Sequence, residues 1–88
     1  MKVELRGTLR VVLGADAIEL DLPPEGVPLS QVFARLAEED PRAGRALLAT
    51  GHGSVLRTVH NDTMVERDED PVVREGDRLL LLVATAGG

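Results

Sequence analysis

Between Arg78 and Thr85 the chain reads "LLLLVA", without one polar side chain. Such a run belongs inside a sheet rather than at its edge, where unpaired backbone beside apolar side chains invites aggregation. The rest of the sequence has to supply its neighbours. "KVELR" alternates, with Val3 and Leu5 facing one way and Lys2, Glu4 and Arg6 the other, the pattern of a half-buried strand. "TLRVVL", bracketed by Gly7 and Gly14, reads as a continuation of extended chain toward a turn at Gly14-Ala15-Asp16. "AIELDL" alternates again, with Ile18, Leu20 and Leu22 on the buried side. Together these segments predict an antiparallel hairpin.

"PPEG" ends the hairpin and the spacing then changes to that of a helix. Leu29, Val32, Phe33 and Leu36 fall at i, i+3, i+4 and i+7 and form one apolar stripe. Pro28 suits the first helical turn, and Pro41 forces Asp40 out of helical conformation and ends the element. "RAGRALLATGHGS" predicts a short second helix, roughly residues 43–49, closed by Gly51 and Gly53. "VLRTVHNDTMVE" reads as strand, tight turn at Asn61-Asp62, strand; "RDEDP" as a solvated acidic loop; "REGD" as a turn. A single amphipathic helix covers one face of a sheet only. With the last strand placed centrally beside the first, and parallel to it, the arrangement is an α+β β-grasp. It has a mixed sheet of four to five strands, one main helix packed on one face and a short second helix. The expected organisation is one domain, residues 1–83, and a flexible C-terminal tail, residues 84–88.

Composition removes several functions. The net charge is −5 and there is no Tyr or Trp, which disfavours nucleic acid. Without cysteine there is no disulfide, thiolate metal site or cysteine nucleophile. His52 and His60 lack metal-ligand spacing and read as solvent-exposed loop residues. No stretch is long enough to cross a membrane and no leader is evident, so a cytoplasmic protein is expected. No catalytic constellation is visible. Lys2 is the one lysine against nine arginines.

"GDRLLLLVATAGG" resembles the ending of the ubiquitin-like sulfur carriers (MoaD/ThiS type), the family of the molybdopterin synthase small subunit and the thiamin sulfur carrier. "VHNDTMVERDEDPVVREGD" resembles the family's strand, Asn-containing turn, short strand, acidic loop and Gly-Asp turn. "GTLR", "ELDLPPEG" and "LSQVFARLAEEDP" fit its N-terminal half, and the length is nearest that of the molybdopterin synthase small subunit. Two positions depart from the pattern. Val83 and Ala84 stand where the molybdopterin branch often has a proline pair, and His60 stands where the family commonly has an apolar residue.

The resemblance implies a ubiquitin-like fold and a carrier rather than an enzyme. Its Gly88 carboxylate would be adenylated by an ATP-dependent activating enzyme and converted to a thiocarboxylate. That sulfur would pass to an acceptor enzyme such as the molybdopterin synthase large subunit. No cofactor is expected on the chain itself; ATP belongs to the activating partner. Gly87, Ala86, Thr85 and Ala84 would thread into the partner, being slim enough for close backbone approach. Strand alternation adds Leu80 and Leu82: if Leu79 and Leu81 face the helix, these two face the open side and form part of the gripped surface. Other readings are a carrier for cysteine, thiamin or tRNA thiolation, a ubiquitin-like protein modifier, and a β-grasp interaction module with an inert tail.

Overall fold

The computed structural model describes residues 1–48 and 54–85. Strand β1 (Lys2–Gly7) follows the alternation, with Val3 and Leu5 fully buried. The next segment departs from expectation: "TLRVVL" is helix α1 (Thr8–Leu13), not extended chain. Val11 and Val12 favour a strand by their branching. Burial decides otherwise. Helical spacing puts Leu9 into the core and Leu13 against it, while Val11 stays 80% exposed. Gly14, in the left-handed conformation, closes the helix by donating its N–H to Arg10 O.

Strand β2 (Ala17–Glu19) then pairs antiparallel with β1, Val3 opposite Ile18, and leads into buried Leu20 and Leu22. Strand β3 (Val27–Pro28) runs directly into helix α2 (Leu29–Glu39). Pro28 has extended backbone and stands just outside the helix rather than in its first turn. Leu29, Val32 and Leu36 of the expected stripe are buried and Phe33 packs beside them.

Helix α3 (Pro41–Leu48) begins two residues before the sequence reading placed it. Asp40 explains that start. Its backbone is extended, its carbonyl accepts from Ala43 N, and its Oδ1 accepts from Arg42 N at 2.9 Å. Asp40 is thus the N-cap of α3, with Pro41 in the first helical position. The Arg42 guanidinium and backbone N–H beside it hold its carboxyl below the usual range.

Strand β4 (Ser54–His60) and β5 (Thr63–Met64) form the expected hairpin, with Asn61 and Asp62 both at positive φ in the two-residue turn. Strand β6 (Val72–Val73) pairs with β3 in a small second sheet that the sequence did not announce. Strand β7 (Leu79–Thr85) is central. The main sheet has the order β2-β1-β7-β4-β5, with β7 parallel to β1 and antiparallel to β4. This is a mixed five-stranded β-grasp sheet. The buried residues of all three helices join Val3, Leu5, Leu79, Leu81 and Val83 in one core, on one face of the sheet. Among the described residues no helix is long and apolar enough to cross a membrane.

The strand and tail boundary also moves. β7 continues through Ala84 and Thr85, paired with Val55 and Ser54, so two residues expected in the tail belong to the sheet.

Candidate functional site

The geometry around β7 is set by its parity. Leu79, Leu81 and Val83 are at most 1% exposed and fill the core; Leu80 and Leu82 point to the opposite face and are half-buried. Register then fixes their neighbours, since residues opposite one another in adjacent strands share a face. Leu80 lies between Glu4 and Val59, with Met64 beyond Val59. Leu82 lies between Arg6 and Arg57. Ala84 is exposed opposite Val55. Val55 and Met64 are 43% and 47% exposed, so an apolar strip runs across this face uncovered by any described helix. Beside it is a shallow depression lined by Glu4, Val59, Asp62, Arg78 and Leu80.

Charge on this face changes along β7. Toward its start the carboxylates Glu4, Glu19 and Asp62 are mixed with cations, Lys2 opposite Glu19 and Arg78 paired with Asp62 at 3.2 Å. The row at Leu82, nearer its end, carries only the cations Arg6 and Arg57, both exposed. Neither makes an ion pair among the described residues; Arg6 donates only to Leu5 O, at 2.8 Å. Against the chain's net charge of −5, the end of β7 is locally basic.

The start of β7 is held by a network the sequence reading missed. Asn61 N donates to Arg78 O and Arg78 N to Asn61 Oδ1, clamping the β4–β5 turn onto β7. His60 is not an exposed loop residue. It ends β4, its side chain is 16% exposed, and its Nε2 donates to Asp77 Oδ2 at 2.8 Å. Burial works to raise the Asp77 carboxyl, but bonds from His60, Arg74 N–H and Asn61 outweigh it and hold it below the usual range. The signal was present: an Asn-Asp turn after one strand and a Gly-Asp turn before its antiparallel neighbour must meet once the strands pair. Nor is the acidic loop merely solvated. Asp70 accepts from Ser30 N and Ser30 Oγ, both at 2.8 Å, and so caps α2.

Of the residues singled out for function, Leu80 and Leu82 share the open face, and Ala84 follows them on it. Thr85 closes β7. Ala86, Gly87 and Gly88, and likewise His52, lie outside the described residues. No group of His, Asp and Glu able to hold a metal occurs among the described residues.

The fold has a solved counterpart. The solution structure of the Haloferax volcanii HVO 2177 protein superposes with a TM-score of 0.69 at 23% identity, covering 100% of this chain and 87% of that one. No curated protein sequence matches the chain. The ThiS family matches residues 3–88, from the first buried residue of β1 to the last glycine. With that match over the β-grasp sheet and its final strand, the chain belongs to the ThiS family of ubiquitin-like sulfur carriers.

Proposed function

We propose that this carrier works through the carboxylate of Gly88. An ATP-dependent activating enzyme joins that carboxylate to AMP, and a sulfur donor displaces AMP to leave a thiocarboxylate. The sulfur then passes to a molybdopterin synthase large subunit for molybdenum cofactor biosynthesis. ThiS-family carriers work in general with activating and acceptor enzymes and are not enzymes themselves. The observation that carries the reading is the family match running through Gly87 and Gly88, directly beyond the central strand.

Physical chemistry fits this assignment. A carboxylate is a poor electrophile until activated, so the terminus has to enter another protein's active site. Residues 84–88 carry no side chain larger than threonine. Ala84 and Thr85 are paired in β7, so the three residues beyond the strand can span at most about 11 Å when extended. Leu80, Leu82 and Val55 supply the adjoining apolar contact, and Arg6 and Arg57 flank it. Intact-mass measurement after incubation with activating enzyme, ATP and a sulfur donor tests the reading. Exchange of one terminal oxygen for sulfur adds about 16 mass units. Gly88→Ala, with a methyl beside the reacting carbon, should abolish the gain and leave the fold unchanged. An unchanged mass in the native protein, or full conversion of the variant, overturns the assignment.

A further inference from the structure

On the open face of the main sheet, β1 carries opposite charges two residues apart. Glu4 stands beside Leu80 and Arg6 beside Leu82. Both side chains point away from the core, because Val3 and Leu5 fill it. The two rows are about 7 Å apart along the strand. Glu4 is half-buried beside Leu80, and neither it nor Arg6 makes an ion pair among the described residues. On the β4 side of the same rows, Val59 lies beside Leu80 and Arg57 beside Leu82. Apolar surface and two unpaired opposite charges are thus fixed in one geometry by the register.

This face can be tested for complementarity to itself. Two copies laid face to face are related by a twofold axis in one of two directions. An axis along the strands keeps each row in place and exchanges the β1 and β4 sides. It sets Arg6 of one copy against Arg57 of the other, and the reverse, which gathers four cations in one row. Like charges brought together across an interface oppose association. An axis across the strands, at Leu81, exchanges the rows and keeps the sides. It sets Glu4 of each copy against Arg6 of the other, and Leu80 against Leu82. Arg57 then lies over Val59 of the second copy, where its methylene stem meets apolar surface and its head reaches water. Packed sheets lie about 10 Å apart and cross at about 30°, a gap and an offset that a glutamate and an arginine bridge together.

We infer that the open face pairs with the open face of a second copy of this chain. The twofold axis crosses β7 at Leu81, and the contact consists of Leu80 against Leu82 and two reciprocal Glu4–Arg6 ion pairs. The patch is small for an interface, so the pair is weak and forms only in concentrated protein. Leu80 and Leu82 are also the proposed contact for the activating enzyme, so a paired chain cannot dock there. Self-association and docking compete for one surface. That consequence rests on the carrier reading; the pairing itself does not.

Sedimentation equilibrium on the full chain alone, from about 10 μM to about 1 mM, tests the pairing. The weight-average mass should rise from that of one chain toward that of two. Glu4→Arg and Arg6→Glu should each weaken association at least about tenfold, since each sets like charges together. The double exchange, Glu4→Arg with Arg6→Glu, restores both ion pairs and should return the dissociation constant to within about threefold of the parent's. Circular dichroism checks that every variant is folded. A parent that stays monomeric at about 1 mM overturns the inference. So does an Arg6→Glu protein that associates as well as the parent, the result the other axis requires, and so does a folded double variant that fails to recover. None of these outcomes touches the carrier reading, which the sulfur-exchange measurement decides separately.

Discussion

Gly7 is where one residue type decides an element. Its φ of 69° and ψ of −140° turn the chain out of β1 into α1, and a β-carbon there would overlap the Val83 carbonyl oxygen. Gly14, at φ 67°, has open space around the same position. The two glycines therefore separate backbone strain from steric overlap. Gly14→Ala should cost about 1 kcal/mol, the ordinary penalty for a left-handed alanine. Gly7→Ala carries that penalty and must also push β7 aside, so a loss of about 2–4 kcal/mol is expected. Urea denaturation of both variants measures the difference, and equal midpoints would show that Val83 yields freely. Both glycines stood out in the sequence as punctuation. What they enclosed did not, because Val11 and Val12 carry a strand preference and only the buried Leu9 reveals the helix.

At the scale of elements, the acidic residues hold helices and turns in place. Asp40 starts α3, Asp70 starts α2, and Asp77 anchors the turn before β7. Local spacing shows the helices themselves: the stripe of α2 and the proline between α2 and α3 were legible. The Asp70 cap was not, since it joins residues 40 apart and no periodicity records such a bond. The Ser30 N–H and hydroxyl hold the Asp70 carboxyl below its usual 3.8. A depressed carboxylate contributes stability that is complete above its unfolded value and disappears as pH falls through its folded one. Asp70→Ala should therefore melt about 5 °C lower than the parent at pH 7, the size of a lost helix cap. The gap should close as the pH drops below 3.8. A gap that persists unchanged in acid would mean that Asp70 acts through packing rather than through its charge.

Across the whole molecule, alternation along β7 divides one strand between two tasks. Leu79, Leu81 and Val83 belong to the core and have no side chain free for a partner; Leu80 and Leu82 belong to the open face and are not needed to fill the interior. That division was legible because the period of a strand is two and the helix stripe can occupy only one side. The meeting of two cations across Leu82 was not, for it depends on register. Arg6 and Arg57 are 51 positions apart in sequence and meet only because both pair with Leu82. The division predicts opposite outcomes for adjacent substitutions. Leu81→Asp buries an unpaired charge and should unfold the domain. Leu82→Asp should cost about 1 kcal/mol or less, as a change at a half-exposed site. It should nevertheless weaken binding to the activating enzyme at least tenfold, by setting a carboxylate in the middle of the apolar contact. Thermal melting and titration calorimetry on the same samples measure both quantities. A Leu82→Asp protein that melts with Leu81→Asp would place Leu82 in the core, and one that binds like the parent would remove the open face from the docking surface.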